Sequence, residues 1–444
     1  MPKRLNGDID MGLLVGMGQT RPQNAYDYYY GIEWDVTVSN PKPTRIGKME
    51  LHQSLPLQSA MRRCVQRDDG SINYYLHANN SELRDNSAAA TLDGSHGMVM
   101  TELPDVYIRF EMNGNKRRCL MSNQALPGFT LWAKDYVSAY EATVERDTNK
   151  LASVKNTTPE YRGGGNQSDW DALSKTMLGK PATVISLTNF RAFAHNRGSV
   201  KWNCNTYHIQ RKLWWLYAVE YANFNCQDTF NAALTADGYR QGGLGAGATA
   251  LNGTLWGNFN GYYPIVPCGH TNSLGNQTGY VDYTLPAEYG TLTVQVPSYR
   301  GVENPFGHVW KWTDGCKCMI RSDADGALSE FYVCDNPANF TSSGETNYEL
   351  RGYLPRNEGY VKEMILGEYG EIMPLAVGAG STTYFCDYFY TSKPSSGVSE
   401  RGVLFGGYAS FGALAGFVSA STDAAAADTH AAFGSRLCYI PGVA

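Results

Sequence analysis

The sequence predicts an α+β fold, and three observations carry that prediction. Apolar and polar residues alternate between turn signals through residues 31–127, as half-buried strands do. Helical periodicity is convincing in only two places, both before residue 223. Finally, 30 Tyr, nine Trp and 47 Gly among 444 residues favour short strands, tight turns and ordered loops. A chain of this length exceeds one ordinary core, so two or three domains are expected. With 43% hydrophobic and 18% charged residues it is globular, and a net charge of −5 gives no electrostatic footprint for nucleic acid.

Residues 1–30 end in Gln23-Asn-Ala-Tyr-Asp-Tyr-Tyr-Tyr30 and read as an extended N-terminal arm. Within it, Gly12-Leu-Leu-Val-Gly-Met-Gly18 is too short for a secretory h-region or a membrane span and reads as a buried strand or packing arm. Synthesis in the cytoplasm, without a signal peptide or membrane insertion, is the expectation. Residues 31–127 form a small β-rich N-terminal domain. Ile32-Glu-Trp-Asp-Val-Thr-Val38 and Val106-Tyr-Ile-Arg-Phe-Glu-Met112 alternate, and Asp68-Asp-Gly70, Asp93-Gly94 and Asn113-Gly114 mark turns. Pro127-Gly128 is the boundary to a second domain, residues 128–444. There, Phe190, Phe193 and Ala194 share a helix face over residues 188–197, closed by Gly198. Residues 209–222 carry apolar side chains over more than half the helix surface, which predicts deep burial. Short strands and Gly-rich loops follow to residue 444.

Reactive chemistry is sparse. The ten cysteines are scattered and read mostly as buried reduced thiols; Cys316-Lys-Cys318 and Cys268-Gly-His270 are incomplete as metal motifs, so no metal or cofactor is expected. Glu368 and Glu371 could pair as carboxylates, but no His or metal motif accompanies them. Gly242-Gly-Leu-Gly-Ala-Gly247 lacks the leading strand and the Lys-Ser/Thr of a phosphate loop. No catalytic residue is assigned.

Several motifs have a recognisable order. Tyr136-Val-Ser-Ala-Tyr-Glu-Ala-Thr143, Pro181-Ala-Thr-Val-Ile-Ser186 and Leu213-Trp-Trp-Leu-Tyr-Ala-Val-Glu-Tyr-Ala222 come first. Asn304-Pro-Phe-Gly-His-Val-Trp-Lys-Trp-Thr-Asp314, Arg401-Gly-Val-Leu-Phe-Gly-Gly407 and Gly434-Ser-Arg-Leu-Cys438 follow. Over roughly residues 130–441 this series resembles C-type lectin domains of the formylglycine-generating-enzyme type. The resemblance implies a C-type lectin-like fold for residues 128–444. Enzymes of that family use cysteines after the Arg-Gly-Gly-Ser motif, whereas residues 406–417 here contain none, which removes the family's chemistry. Glu303-Asn-Pro305 has the composition of the lectins' Glu-Pro-Asn calcium motif in the wrong order.

Residues 408–433 lack strand or helix periodicity and contain no Lys, Arg, Glu, Gln, Met, Trp, Cys or Pro. A composition-biased loop held between strands is a common way to build a recognition surface. Placed at the end of a lectin-type domain, the segment resembles the variable region, residues 401–438, of diversity-generating-retroelement variable proteins. The whole chain is similar to the variable receptor-binding proteins of temperate phages of Bacteroides-like bacteria. That resemblance implies a non-enzymatic adhesin carried on the virion. Its N-terminal domain would join other phage tail proteins, and its C-terminal surface would bind a bacterial surface receptor, protein or glycan. A homotrimer exchanging N-terminal arms is a further expectation. A variable lectin-like protein displayed on a bacterial surface is one alternative, and a divergent formylglycine-generating-type enzyme is another. Alternation on the pleated surface expected of the family's variable region suggests Tyr408, Ser410, Phe411, Ala413, Leu414, Val418, Ser419, Ser421, Thr422, Asp423, His430 and Ala432 as the outward, ligand-binding candidates. Gly406, Gly407, Gly412, Ala415, Gly416 and Phe417 are the scaffold between them.

Overall fold

The computed structural model describes residues 25–289 and 292–443. Most of the expected N-terminal arm, including residues 12–18, lies outside the described residues. The fold is β-rich with few helices, and one sheet is nearly closed on itself like a barrel.

The alternation read near the N-terminus becomes strands. Tyr30–Asp35 buries Tyr30, Ile32 and Trp34 on one face and lies between Thr44–Gly47 and Lys116–Ser122 in a five-stranded sheet. A seven-stranded sheet runs from Trp202–Cys204 through Leu437–Tyr439, Asp135–Ser138, Met98–Leu103, Arg62–Gln66 and Ile72–His77 to Asn80–Arg84. This sheet spans the expected boundary at Pro127-Gly128, because Asp135–Ser138 pairs with Met98–Leu103 on one side and Leu437–Tyr439 on the other. A single apolar cluster likewise joins Ile32 and Trp34 to Trp214, Trp215, Phe417 and Val418.

The hub of that cluster is the helix Tyr207–Tyr221, in which only His208 escapes burial. The Thr206 hydroxyl accepts the Ile209 N–H at its start, and Ala222 closes it in the left-handed conformation, φ 47°. Trp215 stacks on Trp34 at 5.8 Å between centroids, tying the helix to the first sheet. Its buried charges are paired: Arg211 with Glu371 at 2.9 Å, Lys212 with Asp135 at 3.3 Å, and Glu220 with Arg300 at 2.5 Å. Pairing is what allows charged side chains on an all-round buried helix. The other expected helix spans Leu187–His195; it begins at its Ser186 cap and ends before the left-handed Gly198.

Sequence periodicity misses an eight-residue helix, Gly253–Asn260. Two glycines and a lone fully buried Trp256 leave it without an apolar stripe. Its ends are nevertheless marked, by Asn252 accepting the Leu255 N–H and by Gly261 at φ 68°. The largest sheet is built around the twelve-residue strand Trp310–Arg321, flanked by Ser329–Val333 and Val398–Phe405.

Candidate functional site

The C-terminal segment is threaded into this largest sheet, to which Ala420–Ser421 and Phe433–Gly434 contribute strands. Trp310 is the register partner of Phe433, which runs parallel to it, and Trp312 is the partner of Leu404. Leu404 is opposite Ser421, and Ser421 is beside Tyr390 on the parallel strand Tyr388–Tyr390. Directly paired residues share a sheet face, as do residues two apart on one strand. Phe433, Trp310, Leu404, Ser421 and Tyr390 therefore form one row. Together with Tyr408, Phe411, Asp423, Ala424 and His430 from the loops, this row lines an open cavity of about 260 Å³.

Packed aromatic rings make up much of the wall. Trp310 meets Tyr390, Tyr408 and Phe411 edge-on at centroid distances of 6.1, 6.4 and 5.5 Å, while Tyr390 stacks on Phe411 at 5.0 Å. Trp256 of the unforeseen helix backs Tyr408 at 5.6 Å. The polar groups are few. Asp423 Oδ2 accepts the Ser421 hydroxyl at 3.3 Å, whereas its Oδ1 is buried without a donor among the described residues. The Asp423 carbonyl accepts Arg401 Nη1 at 2.7 Å, which fixes the turn. His430 Nδ1 accepts the Ala432 N–H at 3.1 Å, leaving Nε2 to carry the proton of the neutral ring. Burial holds that ring below the usual histidine range, so it is uncharged at neutral pH.

Of the outward candidates, Tyr408, Phe411, Ser421, Asp423 and His430 come together around the cavity. Ser410 faces the helix start near Gly253, and Ala413 and Leu414 lie on a short turn, Gly412–Leu414, away from the cavity lining. Four candidates are not outward at all, and a fifth is nearly covered. Val418, Ser419, Ser421, Thr422 and Ala432 are buried, Ser421 retaining an edge on the cavity. The alternation failed because the segment is not a free pleated edge. Ala420–Ser421 is inserted between Val398–Phe405 and Tyr388–Tyr390. The buried Asp387 side chain accepts the Val418 N–H at 2.7 Å, and the Ser419 N–H bonds the Gly416 carbonyl at 3.2 Å. Thr422 is held by the Tyr390 carbonyl and the Thr391 hydroxyl. Ala432 packs in the cluster around Trp256. By contrast Gly406, Gly407, Ala415, Gly416 and Phe417 are buried scaffold, and Gly412 is partly exposed.

The sequence assigns no binding role to Tyr390, Leu404, Ala424, Phe433 or Trp310. Alternation in Tyr388-Phe-Tyr390 was the available signal, since Phe389 is buried and its neighbours are partly exposed. Other chemical candidates are bound up structurally. Glu371 is buried against Arg211, and Glu303 accepts the Gly269 and Thr271 N–H groups at 3.0 and 2.6 Å. Cys316 and Cys318 are buried on the central strand, where burial pushes both thiols up, away from the reactive thiolate. Among the described residues, no group of three His, Cys, Asp or Glu side chains is placed to hold a metal, and no helix is long and apolar enough to cross a membrane.

Neither a protein-family model nor a curated protein matches the chain, so the site is argued from its geometry.

Proposed function

We propose that the chain is a non-enzymatic receptor-binding adhesin whose contact surface is the aromatic cavity and the exposed loops around it. The observation that carries this reading is the anchoring of residues 408–433. Buried strands hold the segment at both ends and Asp387 holds it in the middle, while Tyr408, Phe411, Asp423 and His430 remain at the surface around a preformed cavity. Rigid aromatic side chains on a fixed scaffold give large contact area at low entropic cost, as recognition surfaces do. Buried cysteines and charge-paired carboxylates support a binding role over a catalytic one.

The C-type lectin-like architecture, of the formylglycine-generating-enzyme type, belongs to the same proposal. Support comes from the way the ordered motifs meet. Tyr136 pairs with Tyr439, and the Trp310–Arg321 strand lies between Val398–Phe405 and Phe433–Gly434. On this reading the protein is a phage tail component, diversified through its 401–438 codons and attached to other tail proteins through its N-terminal part. Its receptor is a protein or glycan of the bacterial surface.

The test is exchange of the exposed positions. Replacing Tyr408, Phe411, Asp423 and His430 together, with the buried positions kept, should change which bacterial strains the purified protein binds. Unchanged strain binding by a folded variant refutes the placement of the contact surface. Diversification is tested separately: the flanking DNA should carry a near-copy of codons 401–438 that differs almost only at adenines.

A further inference from the structure

The cavity brings together aromatic rings and an unsatisfied carboxylate. Trp310, Tyr390, Tyr408, Phe411 and Phe433 contribute rings, whose faces are electron-rich, and Asp423 contributes the charge. The Asp423 carboxylate lines the cavity: Oδ2 accepts the Ser421 hydroxyl at 3.3 Å, and Oδ1, which is covered, has no donor among the described residues, so a donor or cation entering the cavity supplies a partner the carboxylate lacks.

The neighbouring charges leave the negative sign in place. Glu358 stands close enough that the Asp423 charge, after burial itself, raises its carboxyl. His430 is neutral. Arg401 is the adjoining cation, and its Nη1 is directed to the Asp423 carbonyl. Among the described residues, no Lys or Arg lines the cavity.

From these features we infer that the cavity takes an alkylammonium group of the receptor, held by cation–π contact with the rings and by ion pairing with Asp423. The inference rests on the adhesin reading and names the chemistry of the same site. A volume of about 260 Å³ suits the end of a lysine side chain or a choline headgroup and falls below the range of drug-sized pockets.

The experiment titrates the full chain with choline, n-butylammonium and 3,3-dimethylbutan-1-ol, the neutral isostere of choline. Tryptophan fluorescence and calorimetry are the readouts. At least one cation should bind about tenfold or more tightly than the neutral alcohol, a ratio within reach of a desolvated cation–π site. Preference for choline identifies a quaternary headgroup as the source, and preference for butylammonium identifies a lysine side chain. Asp423→Asn should weaken cation binding about tenfold while leaving the alcohol unchanged. Equal binding of alcohol and cation by the parent protein overturns the inference, as does binding of neither cation. So does a folded Asp423→Asn variant with parental cation affinity. Strain binding separates this from the adhesin reading. If exchange of the exposed positions alters strain binding but no cation binds, only the cation chemistry falls. If choline or butylammonium binds but strain binding is indifferent to the exchange, only the adhesin reading falls.

Discussion

Gly416→Ala should destabilise the protein out of proportion to the methyl group it adds. A Cβ at this position would lie 1.8 Å from Asp387 Oδ1 and 2.2 Å from its Cγ, far inside any contact distance. Asp387 is buried and cannot swing into solvent. Moving it breaks its bond to the Val418 N–H. A buried N–H left unpaired costs ~1–3 kcal/mol and the overpacking itself ~1–3 kcal/mol, so the loss should be about 2–6 kcal/mol. Gly412→Ala is the matched control. Its φ of 51° is left-handed but nothing lies within 4 Å, so backbone strain alone should cost ~1–2 kcal/mol. Urea denaturation followed by tryptophan fluorescence measures both. The double variant Asp387→Ala/Gly416→Ala gives the sharper comparison, because the clash and the lost bond are one event. It should be no less stable than Asp387→Ala alone. Additive losses, or a Gly416→Ala variant no worse than Gly412→Ala, would refute the proposed role of Asp387 as the anchor of this segment.

Three further outcomes follow from the buried network. Phe417→Ala removes a ring stacked on Tyr217 at 5.4 Å and close to Trp214, and should cost ~3–5 kcal/mol in a urea melt. Arg191→Leu strips the buried Asp314 of its bidentate partner, at 2.5 and 2.7 Å, and should cost ~3–5 kcal/mol by the same measurement. Burial alone would raise the Glu141 carboxyl, but Lys311 and His308 more than offset it and hold it at about 2, below the ordinary 4.5. The resulting stabilisation, about 3 kcal/mol, is complete above the ordinary value and lost as pH falls toward the depressed one. Glu141→Gln should therefore be less stable than the parent at pH 7, with the gap closing by pH 2.

Much of the fold was legible because its signals are local. Alternation located Tyr30–Asp35 and Val106–Asn113, and a continuous apolar surface located the helix Tyr207–Tyr221. The candidate site was legible only as a stretch of unusual composition. Which of its residues face outward depends on partners remote in sequence: Asp387, the strand Tyr388–Tyr390 and the register of Trp310 with Phe433. No period within residues 408–433 encodes those contacts. For that reason Val418, Ser419, Thr422 and Ala432 were placed on the wrong side, and Tyr390 was overlooked. Similarly, Pro127-Gly128 has the composition of a linker, yet the strands around it continue one sheet.

The position of Leu437–Tyr439 sets a condition on biosynthesis. This strand is interior to the seven-stranded sheet, and the Leu437 N–H bonds Ser138 Oγ across 299 residues of chain. A ribosome must therefore pass the whole 408–433 segment before the sheet can be zipped. Any product interrupted within that segment, by frameshift or stop codon, leaves Asp135–Ser138 and Trp202–Cys204 without the strand that joins them. Exposed strand edges of this kind are sticky and are cleared by cellular quality control. The fold thus makes the pairing of strands in the first half of the chain wait on translation through residue 439.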